Sequence, residues 1–358
     1  MKKICIIFGG NSTEHDISII TGMQCAKNLE QKKSVEKIYL GLDNNFYLAS
    51  KIKDLSVFAD ISALKLKQVL ISNNAVYVKG TFLKKVCDID CVINCCHGGV
   101  GENGDLAGFF TVNNIKFTSA PALPSHIAMD KNLTKTLVKD LVPTIKGTLV
   151  TKQNYEEKIA EIKANFSNNL IVKPNSLGSS IGVRACTKAD FISQIEAIFE
   201  LNDNALVEER VVDLIEYNQA CFREEENLNL SAIEQPLTKS SFLTFEDKYV
   251  HKGKSKGRDR IIPAEISADL EEKIIDYTAQ IYTRLNMNGV VRIDYIFDVT
   301  NNQLYFNEIN TIPGSLSFYL YEPLGIDYLT LMEKLIENAT TPQKFSYLNT
   351  KILNNKIL

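Results

Sequence analysis

Two short runs near the end of the chain carry residue types that handle charged oxygens. Arg292-Ile293-Asp294 and Glu308-Ile309-Asn310 each place polar side chains at i and i+2. In an extended strand that spacing puts both on one face. Four polar groups then project from one face of a predicted hairpin, among the apolar neighbours Val290, Val291, Ile293, Phe306 and Ile309. Asp294, Glu308 and Asn310 are hard oxygen ligands, suited to a Mg²⁺ that also touches substrate phosphates. A solvated sheet face with surface ion pairs is the plainer reading. The apolar flanks and the Pro313-Gly314 ending favour a site.

Upstream, Lys173-Pro174 precedes Gly178-Ser179-Ser180. The backbone N–H groups and hydroxyls of such a loop can fold over phosphates, and the lysine adds positive charge. The lysine precedes the glycine, so this is not a P-loop, and an ordinary surface loop is the alternative. Gly9-Gly10 lacks the G-x-G-x-x-G pattern, which weakens a dehydrogenase reading. His97, after an apolar run, reads equally as catalytic or structural. The group Cys87, Cys91, Cys95, Cys96 and His97 matches no common zinc spacing, and 91–96 reads instead as a buried strand.

The elements that must position these residues follow from periodicity and turn residues. Residues 3–9 form an apolar strand ended by glycines, then a helix start with the helix over 18–29. Strands are expected at 37–42 and 46–49, a hairpin at 69–71 and 75–78 turning on Asn73-Asn74, and a buried strand at 91–96. Strands alternating with helices predict a parallel α/β sheet in the first ~120 residues. A polar helix at 130–139 follows the break at Pro121 and Pro124, then strands at 169–173 and 206–208 and a mixed stretch to Pro236. Residues 252–260 are basic and glycine-containing and are expected to form a mobile loop. A helix at 268–285, strands at 289–298 and 303–308, and a helix near 327–339 complete the chain.

Composition is that of an ordinary globular protein: 358 residues, 45% apolar, 23% charged, net charge −3. The length calls for two or three domains. A charge so near balance gives no reason to expect nucleic acid or an anionic membrane as partner. No apolar run approaches the ~18 residues of a transmembrane helix, and MKKICIIFGG reads as a strand rather than a signal peptide. The eight cysteines are expected as reduced thiols of a cytosolic enzyme.

Taken in order, the motifs resemble a known family. They are Phe8-Gly-Gly-Asn-Ser-Thr-Glu14-His-Asp-Ile-Ser18, His97-Gly-Gly-Val-Gly-Glu102-Asn-Gly, Asp130-Lys131 and Lys173-Pro-Asn-Ser-Leu-Gly-Ser179-Ser180. Asp247-Lys248-Tyr249, Gly289-Val-Val-Arg292-Ile-Asp294 and Asn307-Glu308-Ile-Asn310-Thr-Ile-Pro-Gly314 continue the series. The whole, from residue 4 to about 340, is similar to the D-alanine–D-alanine ligases of the ATP-grasp superfamily.

That resemblance implies an α/β protein in which an ATP-grasp fold follows a Rossmann-like parallel α/β N-terminal domain. Its implied parts are 1–119, 120–207 with the phosphate loop, and 208–358 with the Mg²⁺ site and acceptor pocket. It implies a cytoplasmic homodimer that joins two D-alanines for peptidoglycan precursors, using ATP and Mg²⁺ (or Mn²⁺), through an acyl phosphate. By the same resemblance Asp294, Glu308 and Asn310 hold the metal. Lys131 and Lys173 contact the α- and β-phosphates, Lys248 the γ-phosphate, and Ser179 and Ser180 cover them. Glu208 and Glu216 take the places of adenine and ribose contacts, with one residue inserted between them. Glu14 takes the place of the carboxylate holding the first ammonium, and His97 lies beside that substrate. Ser179 and Tyr249 join Glu14 in a hydrogen-bonded set, and closure protects the acyl phosphate from water. Arg292 and the Gly314 N–H are placed to stabilise the oxyanion. Ser317, Tyr319 and Leu320 stand where the second substrate binds.

The chain departs from the family there. A Met/Phe-Thr-Ser-x-Ser run is common after Asn-Thr-x-Pro-Gly; here 315–321 read Ser-Leu-Ser-Phe-Tyr-Leu-Tyr, with Tyr319 in the serine's place. Asn103 replaces an aspartate and Leu177 a glutamate. Family members that make D-alanyl-D-lactate carry histidine where this chain has Tyr249. The rival readings are the same chemistry with another acceptor, and a nucleotide-binding protein that has lost catalysis.

Overall fold

In the computed structural model the described residues are 2–61, 65–201, 203–237 and 260–343. Lys248, Tyr249 and residues 252–259 of the expected basic loop lie outside them.

The first unit has strands β1 (Lys2–Gly9), β2 (Val35–Leu40), β3 (Phe46–Leu48), β4 (Lys67–Ser72), β5 (Ala75–Val78) and β6 (Lys84–Asn94). Helix α1 (His15–Leu29) joins β1 to β2, and α2 (Gly99–Glu102) and α3 (Asp105–Val112) follow β6. The α/β class agrees with expectation, but the sheet is only partly parallel. β1 lies parallel to both β2 and β6. β3, β4 and β5 are antiparallel and close the set into a ring. The reason is the connections: 41–45 and 73–74 are too short for the crossover that a parallel pair needs. α1 starts at His15, three residues before the expected Ser18, because the Ser12 hydroxyl accepts the Glu14 N–H and begins the turn there.

Helices α4 (Ala122–Met129) and α5 (Lys131–Val138) lead to a four-stranded sheet. Its strands are β7 (Gly147–Val150), β8 (Asn169–Pro174), β9 (Arg184–Thr187) and β10 (Ala205–Glu209), in the order β7-β10-β8-β9. Helices α6 (Tyr155–Asn165) and α7 (Phe191–Phe199) bury Ile159, Ile162, Phe191, Ile195 and Ile198 against it.

A five-stranded sheet follows, in the order β13-β12-β11-β14-β15. These strands are β11 (Leu214–Glu224), β12 (Asn227–Pro236), β13 (Arg260–Ile261), β14 (Val291–Asp298) and β15 (Gln303–Asn310). Helix α8 (Ala268–Arg284) covers one face through Ile274, Ile281 and Tyr282. A turn at Gly314–Leu320 and helix α9 (Tyr328–Glu337) pack onto the other, in one core with α1. The chain then returns to the first unit, where Phe117 and Thr340 exchange backbone hydrogen bonds of 3.1 and 2.8 Å. All eight cysteines are buried and unbridged, six in the first unit and one on each of β9 and β11.

Candidate active site

The five-stranded sheet supplies the charged floor. β14 and β15 form the expected hairpin, and Asp294 stands directly opposite Glu308, Arg292 opposite Asn310. Arg292 grips Asp294 with two hydrogen bonds of 2.7 and 2.8 Å, and Asn310 donates to the same carboxylate at 3.0 Å. The register extends further than the hairpin. Asn218 on β11 pairs with Asp294 on one side and with Glu234 of β12 on the other. Directly paired residues share a face, so Glu308, Asp294, Asn218 and Glu234 form a polar row across four strands, about 14 Å long. Glu216 lies two residues before Asn218 and therefore on the same face.

The four-stranded sheet supplies cations. Lys173, at the end of β8, pairs with Glu208 of β10 at 2.7 Å and donates to Asn307 at 3.3 Å. Lys135, on α5, bonds the other oxygen of Glu208. Burial disfavours the Glu208 carboxylate, but the two ammoniums overcome this and hold its pKa at about 2. Burial in turn pulls Lys135 down to about 8 against the attraction of Glu208. Glu208 is therefore a counter-ion between two lysines as well as a residue of the cleft. Lys131 opens α5 because Asp130 caps that helix through the Leu133 N–H. Its ammonium donates to the Leu177 carbonyl at 2.6 Å and lies 3.5 Å from Glu308. It thus links the loop after β8 to the sheet floor.

From the first unit comes the opposite wall. The Ser179 hydroxyl donates to Glu14, joining the loop after β8 to the start of α1. Gly98 and Gly178 flank that carboxylate: an added Cβ would stand 3.0 and 2.7 Å from its oxygen, so side chains there would push it aside. Ser179 and Ser180 hold left-handed backbone, φ 53° and 57°, an unfavourable conformation for residues bearing a Cβ.

His97 is buried and both ring nitrogens are engaged within the protein. The Ile312 carbonyl accepts from Nδ1 at 2.5 Å, which leaves Nε2 to face the Thr21 hydroxyl at 2.8 Å. Thr21 also accepts the Ser315 N–H at 3.3 Å. Burial lowers the imidazole pKa, so the ring is neutral near pH 7. Glu102 completes this joint. It accepts N–H groups from Gly98 at 2.9 Å and Ile312 at 3.0 Å, and burial, aided by the charge of Glu14, raises its pKa to about 7. His97 and Glu102 thus hold the strand end that leads to Gly314.

Beyond Gly314 the backbone is left-handed at three successive residues, Ser315, Leu316 and Ser317, with φ of 51°, 53° and 52°. Open space adjoins Gly314 itself. The Ser317 hydroxyl is buried without a hydrogen-bond partner among the described residues, and Leu320 is buried in the core. Tyr319 is the surprise of this turn. Its phenol donates to Glu234 at 3.2 Å, and burial raises its pKa to about 12. The phenol proton thus points at Glu234, so Tyr319 stands at the expected acceptor position with its hydroxyl engaged within the protein.

The structure brings together Glu14, His97, Lys131, Lys173, Ser179, Glu208, Arg292, Asp294, Glu308, Asn310 and Gly314. Sequence reasoning missed Lys135, Asn218 and Glu234. The i, i+2 relation of Glu216 and Asn218 was the available signal for Asn218; Lys135 recurs four residues after Lys131, one helical turn on. The strand expected at 91–96 is β6, which ends at Asn94: Cys91 lies on it, Cys95 and Cys96 follow it and are buried as well, and no group of three or more histidine, cysteine or acidic residues placed to hold a metal occurs among the described residues.

Comparison with known proteins follows the same lines. The family profile described as the D-ala D-ala ligase N-terminus matches residues 3–120, and that of the D-ala D-ala ligase C-terminus matches 139–337. A D-alanine--D-alanine ligase of Thermosipho melanesiensis is 31% identical over 100% of this chain and 99% of its own length. One from Helicobacter pylori is 32% identical over 98% of each. Among solved structures, a D-alanine-D-alanine ligase from Helicobacter pylori superposes with a TM-score of 0.78 at 28% identity, covering 96% of this chain and 100% of that one. The VanG D-Ala:D-Ser ligase from Enterococcus faecalis gives 0.81 at 27% identity, covering 94% and 98%.

Proposed function

The chain belongs to the D-ala D-ala ligase family, and from that premise we propose that this cleft joins two D-alanines with conversion of ATP to ADP, supplying peptidoglycan precursors. One observation carries the assignment of the site. The Arg292–Asp294 and Glu308–Asn310 pairs, the cations Lys131 and Lys173, and the Glu14–Ser179 bond from the opposite wall converge on one cleft.

ATP lies between the two later sheets, its phosphates toward Lys131, Lys173 and the 178–180 loop, with Lys248 on the γ-phosphate. Lys135 adds a fourth ammonium, and Glu208 partly balances Lys135 and Lys173 until the phosphates arrive. Glu208 and Glu216 then face the nucleoside. Two carboxylates and an amide on one strand pair suit Mg²⁺, and Asp294, Glu308 and Asn310 would hold it. Held by these residues, Mg²⁺ would supply positive charge to offset that on the transferring phosphoryl group.

The first D-alanine presents its ammonium to Glu14, and its carboxylate takes the γ-phosphoryl group. Neutral His97 keeps the neighbouring strand end in place rather than adding a charge. The second D-alanine attacks the acyl-phosphate carbonyl carbon with its neutral amine; the C–N bond forms, the bond from that carbon to the phosphate oxygen breaks, and inorganic phosphate leaves. Arg292 and the Gly314 N–H receive the negative charge that develops on the carbonyl oxygen. Closure over Ser179 and Tyr249 excludes water, which would otherwise consume the acyl phosphate. Working units at 1–119, 120–207 and 208–358, a homodimeric assembly and a cytoplasmic location belong to the same reading.

The test is release of ADP with Mg-ATP and D-alanine, L-alanine, D-serine or D-lactate, with products identified by mass spectrometry. D-alanine-dependent ADP release with D-alanyl-D-alanine as product is the expected result. ATP binding without any amino-acid-dependent turnover would leave only the non-catalytic rival. A product containing D-serine in preference would transfer the assignment to another acceptor.

A further inference from the structure

The polar row on the sheet floor ends in a cluster that the proposed chemistry does not use. Glu234 is only 4% exposed in its side chain, yet three donors meet it: Asn218 at 3.2 Å, Tyr319 at 3.2 Å and Arg260 at 2.9 Å. The Arg260 guanidinium also lies over the Tyr319 ring, 4.6 Å from its centroid. The carboxylate thus fixes both the ring and the cation stacked on it. Arrangements of this kind aim a guanidinium, whose planar fork matches a carboxylate.

Where a carboxylate would come from follows from the rest of the row. The phosphate end is crowded with negative charge when ATP is bound, beside Glu308 and Asp294. Arg292 has two nitrogens committed to Asp294. An amino acid whose amine attacks near Arg292 places its own carboxylate away from the phosphates, toward Glu234 and Tyr319. The Tyr319 hydroxyl already donates its one hydrogen bond to Glu234, so that hydroxyl is not the contact. Glu234 does not repel a second carboxylate strongly, because Arg260 and two hydrogen bonds already balance it.

Resting on the reading above that the acceptor is an amino acid, we propose that Arg260 binds its α-carboxylate, with Glu234 holding the guanidinium and Tyr319 serving as its platform. This assigns acceptor recognition to the β12–β13 edge, where Pro236 and Arg260 are register partners.

D-Alaninamide separates this from other roles, since it has no carboxylate to activate and can enter only as acceptor. Second-site kcat/KM is measured for D-alanine and for D-alaninamide in the natural protein and in Arg260→Met. Arg260 is 37% exposed in its side chain, so the substitution leaves the core unchanged. The natural protein should prefer D-alanine by about tenfold or more, the range of a charge-assisted bond. Arg260→Met should abolish that preference by lowering D-alanine use alone, with first-site KM unmoved, and Arg260→Lys should fall between. An equal loss for both acceptors, or no loss for either, overturns the proposal. Absence of D-alanine-dependent ADP release in the natural protein would instead overturn the proposed function.

Discussion

Substituting Glu102 by glutamine sets two effects of known sign against each other. In the folded protein this carboxyl has its pKa raised from 4.5 to about 7, by burial and then by the charge of Glu14. A raised pKa means that the folded state binds more protons than the unfolded chain between those values. The stabilising contribution is therefore full below pH 4.5 and is lost as pH rises through 7. At 1.36 kcal/mol per unit, a rise from 4.5 to about 7 amounts to about 3 kcal/mol. Glutamine does not titrate, so the variant escapes that loss. It also has one acceptor oxygen where Glu102 offers two, so the Gly98 or the Ile312 N–H goes unpaired. That costs about 1–3 kcal/mol at every pH. Glu102→Gln should thus be less stable than the natural protein at pH 5 and equal or more stable at pH 8. Thermal unfolding of both proteins from pH 4.5 to 8 in matched ionic strength reads the difference. Parallel profiles would show that Glu102 does not change protonation on unfolding in this window, and the reasoning would fail.

Other consequences are equally direct. Glu308→Gln should abolish ligation while thermal unfolding stays unchanged; a near-normal rate at saturating Mg²⁺ would remove Glu308 from the metal site. Lys135 has its pKa lowered to about 8, so kcat/KM for ATP should fall as pH rises through that value, and Lys135→Met should be low and flat across it. Lys173→Met should raise the KM for ATP and lower turnover, and ATP kinetics identical to the natural protein would show that the lysine meets no phosphate. Tyr319→Ser should weaken second-site D-alanine more than first-site and admit larger acceptors; unchanged selectivity would put Tyr319 outside the acceptor pocket.

Much of this arrangement was readable in residue order. The β14–β15 hairpin declared itself by two i, i+2 polar pairs between apolar neighbours, and Asp294 does face Glu308. Lys173 sits at its strand end as the pattern demanded. What stayed hidden was set by contacts between distant segments. Asn218 and Glu234 lie in a stretch of mixed polarity, and only pairing with β14 gives β11 and β12 their register. Nothing local marks Lys135 as a partner of Glu208, since they lie 73 residues apart. In the first sheet the antiparallel β4–β5 hairpin was legible in its Asn73-Asn74 turn, whereas β3, three residues long, is too short for an alternation to mark its antiparallel pairing. As for His97, the catalytic and structural readings could not be separated until Ile312 and Thr21 were found against its two nitrogens.

The buried thiols give the protein a set of native reporters. Burial raises the pKa of Cys91 and Cys221 to about 12 and that of Cys186 to about 11, so almost no thiolate exists there at neutral pH. An alkylating reagent then labels such a position only during an opening event. The cysteines divide among the three sheets, with Cys91 on β6, Cys186 on β9 and Cys221 on β11. Pulse alkylation followed by peptide mass spectrometry would therefore time the opening of each sheet separately, with no label introduced. If nucleotide binds between the two later sheets as proposed, it should slow the modification of Cys186 and Cys221 more than that of Cys91.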